Sequence, residues 1–466
     1  MRYYSTRSRT DPVSFSAAAL TGLAPDGGLF VPEEIPPFSP AVRSSLATMD
    51  YREIALETIK PYVYQEIPDA VLADMIHSAY PFSAPLIGAG DRLVLELFHG
   101  PTAAFKDFGA RFMARAFSYF RRNEERPLHI LVATSGDTGG AVADGFFNIP
   151  GISVMVLYPK GRVSPLQERQ IAGLGGNITA VAVEGSFDDC QALVKAAFGD
   201  ADLRKKLVLS SANSINVSRL IPQAVYYAAA AGRAFVGHID PDEEATPRGA
   251  VLAANSGSSP SSGPSFRGTA AGQPITFCVP SGNFGNLTAG LYAMKMGAPI
   301  QGFIAATNIN RTVPDYLASG NYQEQPSQAT ISNAMDVGAP SNFERMAAHW
   351  TYGEMRQVIQ GVSVSDEDTR KTITAVHHTY GYFLDPHGAV GWKAADSLAD
   401  AHALAKGPLA ILATAHPAKF AETVEPLTGP IPLPASLKQV MKREPRSRII
   451  PAEISALTEL LLTIAN

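Results

Sequence analysis

Lys106 stands in the segment TAAFKDFGARF, where a lysine could do more than carry a surface charge. The aromatic residue Phe105 precedes it, and an amphipathic helix is predicted to begin beside it. A lysine that is desolvated by such neighbours loses its ammonium form more readily, so its pKa falls and its amine can form imines. A solvated lysine at the head of a helix explains the same segment when it is taken alone.

The segment LVATSGDTGGAVADGF has the order strand, loop and helix, which is typical of an anion site. Thr134, Ser135, Gly136, Asp137 and Thr138 follow the predicted strand and open the predicted helix. Exposed backbone amides at such a junction bind anions, and the hydroxyls add further donors. An ordinary helix cap formed by Asp137 or Thr138 is the alternative interpretation.

A second strand–loop–helix segment is CVPSGNFGNLTAGLYAMKMG. Gly282 and Gly285 allow the backbone to approach a ligand closely, while Asn283 and Asn286 add polar groups. The predicted helix points its positive end at the loop, so the segment predicts a phosphate cradle. It matches neither the P-loop pattern nor the GxGxxG fingerprint. A tight structural turn would also require two glycines.

The segment SSANSINVSRLIPQ places further donors after a predicted strand. Asn213, Ser214 and Asn216 supply amide and hydroxyl groups, and Arg219 supplies a guanidinium. This combination suits a second anion, such as a phosphate on a substrate, although a surface arginine beside a helix cap is the alternative. His387, in DPHGAVG, is interpreted as a structural histidine and receives no role.

Regular alternation of strands and helices is predicted to position these segments. Continuous apolar stretches bounded by turn residues predict buried strands, and the stretches between them predict helices, so the pattern indicates βαβ units with parallel sheets. Ligands in this class usually bind beyond the carboxyl ends of the strands. The predicted strands are 128–134, 152–158, 178–183, 207–211, 275–280, 300–307 and 409–414, and the predicted helices are 140–147, 165–174, 187–198, 224–231 and 286–297.

The alternation predicts an α/β protein with two parallel-sheet domains after an N-terminal segment. The predicted borders are 1–90 for the N-terminal segment, 91–225 for the first domain and 226–466 for the larger second domain. Residues 237–272 are rich in Gly, Pro, Ser and Ala. Such a stretch buries too little apolar surface to offset its ordering entropy, so a flexible surface insertion is predicted there.

Composition limits the classes of function. The chain has 466 residues and a formal charge of −5, without a basic excess that would neutralise a nucleic-acid backbone. No apolar stretch reaches membrane-spanning length, and no apolar signal-peptide core follows the first residues. Cys190 and Cys278 lack metal-ligand and CxxC spacing, which predicts a reducing cytoplasm, no disulfides and no metal site. A small-molecule partner is expected, and a monomer or a homodimer.

Taken together, the segments resemble the threonine synthases, in the bacterial and yeast-type branch of the fold-type II pyridoxal-phosphate enzymes, whose fold is tryptophan synthase β-like. The resemblance covers nearly the whole chain except the 237–272 insertion. Single motifs recur throughout fold-type II, so their ordered set carries the resemblance. The motifs are YYSTRS, APDGGLFVPEEIP, TAAFKDFGARF, SGDTGGA, NSINVSRLIPQ, PSGNFGN, DVGAPSNFERM and ATAHPAKF.

The resemblance implies a lyase in threonine biosynthesis with pyridoxal 5′-phosphate as cofactor. O-phospho-L-homoserine and water would give L-threonine and phosphate by γ-elimination and β-addition. Lys106 is implied to be the Schiff-base lysine and catalytic base, and Thr414 to face the pyridine nitrogen, which a hydroxyl leaves largely unprotonated. Asp137 stands where many fold-type II enzymes have an asparagine near the cofactor's 3′-oxygen, a departure from the wider family.

The resemblance also implies two sets of binding residues. Besides Lys106, the implied cofactor contacts are Phe105, Asp137, Gly282, Asn283, Phe284, Gly285, Asn286 and Thr414. The implied contacts to the substrate carboxylate or phosphate are Thr134, Ser135, Thr138, Asn213, Ser214 and Arg219.

Two other functions stay open on the sequence. One is a lyase on the same scaffold that releases 2-oxobutyrate and ammonia, and the other is a catalytically silent, ligand-binding homologue. The DVGAPSNFERM segment and the anion site at 213–219 favour a phosphorylated substrate and threonine as product. An intact Lys106 and phosphate loop argue against a silent homologue.

Overall fold

The computed structural model describes residues 1–90, 92–241, 246, 271–398 and 407–465. The described strands are β1 (Tyr3–Ser5), β2 (Phe30–Pro32), β3 (Leu86–Ala89), β4 (Arg92–Glu96), β5 (Leu128–Ala133), β6 (Ile152–Pro159), β7 (Ile178–Glu184), β8 (Val208–Ser211), β9 (Ile275–Pro280), β10 (Ile300–Thr307), β11 (Ile359–Ser363), β12 (Leu409–Ala413) and β13 (Ser447–Pro451). The described helices are α1 (Phe15–Thr21), α2 (Pro40–Ser45), α3 (Tyr51–Val63), α4 (Asp69–Ala79), α5 (Lys106–Arg121), α6 (Asp137–Phe146), α7 (Pro165–Ala172), α8 (Phe187–Gly199), α9 (Ala201–Lys206), α10 (Val217–Leu220), α11 (Ala224–Phe235), α12 (Gly285–Met296), α13 (Thr312–Ser319), α14 (Phe343–His349), α15 (Tyr352–Val358), α16 (Asp366–Tyr380), α17 (Pro386–Leu398), α18 (Ala421–Thr428), α19 (Ala435–Val440) and α20 (Ile454–Ala465).

The larger sheet has six strands in the order β11–β10–β9–β12–β4–β3. Its pairs are parallel except for β3 with β4. Phe277 and Phe303 face the hydrophobic cluster that contains α11 and α12, whereas Cys278 and Ile304 face a second cluster that contains α17. Because both faces are covered, most residues of β9 and β10 are apolar on either face, which is why these strands are largely apolar stretches in the sequence.

The smaller sheet has five parallel strands in the order β13–β7–β6–β5–β8. A short antiparallel pair, β1 with β2, belongs to the N-terminal segment. The order of strands along the chain does not follow the division into sheets. β4 precedes every strand of the five-stranded sheet in the sequence, but it pairs with β12 in the six-stranded sheet. β13 follows every strand of the six-stranded sheet, but it pairs with β7 in the five-stranded sheet. A division at residue 225 therefore does not separate the sheets, because long-range pairing decides which sheet a strand joins; the domain borders at 90 and 225 stay a prediction.

The α/β architecture predicted from the sequence is confirmed, and every strand and helix predicted from periodicity is present. Four strands of the larger sheets were not predicted: β3, β4, β11 and β13. The last two are edge strands with much exposed surface, so their sequences, IQGVS and SRIIP, lack a continuous apolar pattern. β3 and β4 are short, with four and five residues, and β3 includes Gly88.

Most of the predicted insertion at 237–272 lies outside the described residues. At its described beginning, Asp240 accepts a hydrogen bond from the backbone N–H of Leu86 (2.8 Å) and pairs with Arg233 (2.9 Å). The hydroxyl of Thr246 donates to a carboxylate oxygen of Glu96 (2.9 Å). These contacts attach the first part of the segment to β3 and β4, and a flexible insertion stays a prediction for 247–270.

A buried arginine fastens the N-terminal segment to the loop that follows β8. Arg345 is fully buried and donates from Nε to the Phe30 carbonyl (3.0 Å) and from Nη1 to Asn342 Oδ1 (2.6 Å). Its Nη2 donates to the Ile215 carbonyl. Burial lowers the pKa of Arg345 to about 10, so it remains a cation at neutral pH. One guanidinium thus satisfies three acceptors from separate parts of the chain.

The substitution Arg345→Met should strongly destabilise the protein. It removes the donors of three acceptors, and each buried acceptor left unsatisfied costs about 1–3 kcal/mol. We expect the free energy of unfolding, measured by urea denaturation, to fall by at least about 3 kcal/mol. The matched control is Arg356→Met, because Arg356 is exposed on α15; its effect should stay within about 0.5 kcal/mol. Equal effects of the two variants would contradict this account of Arg345.

Candidate active site

Five strands of the two larger sheets end in one region, where the predicted site segments meet. Residues 134–138 follow β5, 213–219 follow β8, 281–286 follow β9, 414–419 follow β12, and Lys106 lies beyond β4. Two contacts join the sheets at these carboxyl ends. Asn283 Nδ2 donates to Ser214 Oγ (2.6 Å), and Lys419 Nζ pairs with Asp137 Oδ1 (2.9 Å). The predicted location of the site, at the carboxyl ends of parallel strands, fits this arrangement.

Lys106 is the first residue of α5, and the chain before it is bonded to the chain after β12. The backbone N–H of Phe105 donates to the Thr414 carbonyl (2.9 Å), and Ala104 and Ala415 form an antiparallel bridge. The ammonium of Lys106 lies 5.9 Å from the centroid of the Phe105 ring. These contacts hold the lysine, its aromatic neighbour and Thr414 close together.

The setting of Lys106 makes its ammonium easier to deprotonate than that of a solvated lysine. Burial lowers the pKa of Lys106 to about 8; Asp137 opposes this shift, while Arg219 and Lys419 contribute to it. The direction matches the one expected from the sequence. A lysine that loses its proton near neutral pH is suited to imine formation and to proton transfer.

Asp137 is a buried carboxylate between two lysines. It is the first residue of α6, and its Oδ1 accepts hydrogen bonds from Gln167 Nε2 (2.9 Å) and from Lys419 Nζ (2.9 Å). Burial by itself raises the pKa of Asp137, but the ammonium groups of Lys419 and Lys106 outweigh it and hold the pKa below its ordinary range. The site therefore contains a permanent negative charge close to Lys106.

The three hydroxyl groups of the loop at 134–138 differ in burial and bonding. Thr134 is buried, and its hydroxyl accepts from the N–H groups of Gly136 (3.0 Å) and Gly139 (2.8 Å). This hydroxyl therefore stabilises the turn. A contact between Thr134 and the substrate stays a prediction, and the hydrogen bonds that the hydroxyl already makes within the turn do not favour it. Ser135 and Thr138 are only half-buried, at the start of α6, where helix amides lack intrahelical partners.

The loop at 282–286 is shaped by close backbone packing. A Cβ on Gly282 would lie 2.6 Å from the Ala334 carbonyl oxygen and 2.8 Å from Met335 Cα, so only glycine fits there. Phe284 has a left-handed backbone (φ 58°) and is followed directly by α12. The start of this 12-residue helix presents free amides to the region in front of the loop.

Asn286 presents a fixed amide donor at the start of α12. Its Oδ1 accepts hydrogen bonds from the hydroxyls of Tyr226 (2.6 Å) and Tyr227 (2.7 Å). Its Nδ2 is buried and has no hydrogen-bond partner among the described residues. A buried donor that the protein leaves unsatisfied indicates a ligand. The two tyrosines were not predicted; the only sequence signal is their place in the alanine-rich stretch QAVYYAAAA.

Arg219 is buried, which excludes the surface arginine considered from the sequence. Its Nη1 donates to the Ala212 carbonyl (2.7 Å), but its buried Nε has no partner in the part of the chain that the structure describes. Burial lowers the pKa of Arg219 to about 10, against the attraction of Asp107. The acceptor Oδ1 of Asn213, the residue after Ala212, is also buried and has no partner among the described residues. A desolvated guanidinium with unused donors is suited to an anion.

Several residues of the site were not predicted from sequence. Lys419 lies in ATAHPAKF, so its position after a buried strand was a usable signal, whereas Gln167 and Asn342 have none that we identify. His387 is buried, its Nδ1 contacts Asp385 Oδ2 (2.5 Å), and its Nε2 has no partner among the described residues. It remains without an assigned role.

The two glycines of the 282–286 loop should respond differently to alanine. In Gly282→Ala the new Cβ meets backbone atoms, which cannot move aside, and overpacking of this kind typically costs about 1–3 kcal/mol. In Gly285→Ala the nearest atom is Asn342 Nδ2 at 3.2 Å, a side-chain atom that can shift. We expect urea denaturation to show the larger loss for Gly282→Ala. A loss as large for Gly285→Ala would show that backbone packing does not explain the loop.

The described residues contain neither a candidate membrane-spanning helix nor a candidate metal site. None of their helices combines the length and apolar character needed to span a membrane. Within the same residues, no cluster of three or more His, Cys, Asp or Glu side chains is placed to hold a metal ion.

Comparison with known proteins places this site in a family. Models described as threonine synthase N terminus and threonine synthase C-terminal match residues 2–80 and 388–461, and the pyridoxal-phosphate dependent enzyme model matches 84–235 and 266–415. The chain is 39% identical over 470 residues to threonine synthase of Escherichia coli, covering 99% of both chains. It is 34% identical to the Saccharomyces cerevisiae enzyme, covering 91% of this chain and 88% of that one. The crystal structure of PLP-bound threonine synthase from Brucella melitensis is 35% identical and superposes on it with a TM-score of 0.85 over the whole of both chains. The chain belongs to the threonine synthase family of fold-type II pyridoxal-phosphate-dependent enzymes.

Proposed function

We propose that this protein converts O-phospho-L-homoserine and water to L-threonine and phosphate. The observation that carries the proposal is the presence of two separate sets of anion donors near one lysine. One set is the start of α12 with Nδ2 of Asn286, and the other is the guanidinium of the buried Arg219, whose Nε has no partner among the described residues. A phosphorylated cofactor and a phosphorylated substrate would each require one such set. Family membership supports the same reaction.

The residues fit pyridoxal phosphate as the cofactor. The unpartnered Nδ2 of Asn286 and the free amides at the start of α12 would hold its phosphate, and Lys106 would bind it covalently. Phe105 would pack beside it, and the Thr414 hydroxyl would face its pyridine nitrogen. When bound, this cofactor supplies an electron sink for negative charge on the substrate carbons.

Lys106 would do the acid–base work of the reaction. Its amine would take the α-proton of the bound substrate and return protons to the substrate carbons at later steps. Its pKa of about 8 is close to neutral pH, which suits a group that must both accept and donate a proton. The ionised carboxylate of Asp137 lies close enough to influence it and would face the cofactor's 3′-oxygen.

The substrate's two anionic groups would bind at different places. Ser135 and Thr138, at the start of α6, would bind the carboxylate. Arg219, Asn213 and Ser214 would bind the phosphate, and the guanidinium would stabilise this group as it leaves. Arg219 is buried, so its attraction for phosphate is screened less by solvent than that of a surface arginine.

We further propose a cytoplasmic location for a protein that acts on a small molecule. Cys190 and Cys278 are both buried and free, as expected for a protein kept in reducing conditions. The oligomeric state, a monomer or a homodimer, stays a prediction.

Product analysis tests the proposed reaction. Purified protein with its cofactor should release L-threonine and inorganic phosphate in equal amounts from O-phospho-L-homoserine, and Lys106→Ala should abolish turnover because it removes the base. Lys295→Ala is the matched control, since Lys295 is exposed on α12; its activity should be unchanged. Release of 2-oxobutyrate and ammonia would show a dehydratase instead. Binding without any turnover would show a silent homologue.

Arg219→Met should separate the two anion sites. We expect the visible spectrum of the bound cofactor to be nearly unchanged and kcat/KM for the substrate to fall about 10- to 100-fold, because a charge-assisted hydrogen bond contributes about 1.5–3 kcal/mol. Arg219→Lys should restore part of the loss, since an ammonium lacks the planar fork. Loss of cofactor, with normal kinetics in the protein that retains it, would reverse the assignment of the two sites.

A further inference from the structure

Lys419 is a completely buried lysine that the proposed function leaves without a role. It lies in the short 3-10 helix Pro417–Phe420 that follows β12, and its side chain has no exposed surface. Its Nζ contacts Asp137 Oδ1 (2.9 Å) and donates to the Thr102 carbonyl (2.7 Å). Lysines are almost never fully buried unless they are paired. Its partners belong to the two loops that carry Asp137 and Lys106.

The pair is part of a larger group of charges. The cations near Asp137 are Lys419 and Lys106, and Arg219 acts on Lys106 from α10. Asp107, on α5, accepts hydrogen bonds from the Thr102 hydroxyl (2.6 Å) and N–H (2.9 Å), and burial raises its pKa to about 7. Asp137 is therefore the carboxylate on which the charge balance around Lys106 chiefly depends.

Two different donors hold the same oxygen of Asp137. Lys419 supplies a charged donor to Oδ1, and Gln167 supplies a neutral one at the same distance of 2.9 Å. Gln167 is also buried, so a hydrogen bond alone would already fix the carboxylate in place. What Lys419 adds is charge, in a region from which water is excluded and where charges act strongly.

We propose that Lys419 is a positioning residue for the reaction, because its ammonium, paired with Asp137 at 2.9 Å, balances the pull of that ionised carboxylate on the proton of Lys106. The proposal rests on the proposed function, in which Lys106 transfers protons. Without Lys419, Asp137 would hold a proton on Lys106 too strongly. Without Asp137, Lys419 would repel that proton.

Removing the positive charge of Lys419 and removing the negative charge of Asp137 should shift the pKa of the Lys106 nitrogen in opposite directions. The readout is the pH midpoint of the visible absorbance of the holoenzyme, whose bound cofactor reports the protonation of the nitrogen of Lys106. In Lys419→Met the midpoint should rise by about one pH unit, since an unbalanced carboxylate nearby favours the protonated form. In Asp137→Asn it should fall. The double variant removes both charges, so its midpoint should return towards that of the unsubstituted enzyme.

Gln167→Met is the matched control, because it removes a neutral donor from the same oxygen. Its midpoint should move far less than that of Lys419→Met. A purely structural lysine predicts lower stability for the single variants but no opposing shifts, and that result would overturn the proposal. If Lys419→Met does not fold, the other two variants still test the proposal. The pH midpoint should be lower in Asp137→Asn than in the unsubstituted enzyme, and it should be higher again in the double variant. The titration needs no turnover, so its outcome is independent of which product the enzyme releases.

Discussion

The site depends on contacts between the carboxyl ends of two sheets. One of these contacts, the buried pair of Lys419 with Asp137, joins two oppositely charged side chains. Neither partner is exposed enough for water to satisfy it, so each requires the other. The pair connects the chain after β12 to the start of α6, and the hydrogen bond from Lys419 to Thr102 extends it to the loop before Lys106. Removing one partner alone would leave the charge of the other buried and unbalanced at the place where proton transfer is proposed.

Many polar residues and glycines near the site stabilise the conformation of its loops and are not free to contact a ligand. Thr134 closes the turn before α6, Gly282 packs on the backbone of Ala334, and Arg345 connects β2 to the 213–216 loop. At the candidate site, two buried donors, Asn286 Nδ2 and Arg219 Nε, have no hydrogen-bond partner among the described residues. Because buried polar atoms are almost always satisfied, these unused donors are the part of the structure that indicates ligands.

The sequence by itself determined the α/β class, the main strands and the positions of the loops that carry chemistry. The reason is that a strand covered on both faces is mostly apolar, as in β9 and β10, and that glycines and small polar residues are favoured in the turns between elements. The ordered motifs were sufficient to indicate the family, and through that resemblance they implied Lys106 as the Schiff-base lysine, a role that its segment alone left open.

Only the tertiary structure decided which of the polar residues in those loops are available to a ligand. Thr134 and Ser135 are neighbours with equivalent hydroxyls, yet one is used within the turn and the other is half-exposed. Arg219 could have been a surface residue until its burial was known. The roles of Tyr226 and Lys419, and the pairing of β4 with β12 and of β13 with β7, depend on contacts between residues far apart in the chain. Such contacts leave no periodic trace in the sequence, because hydrogen bonds and ion pairs are set by the packing of whole elements.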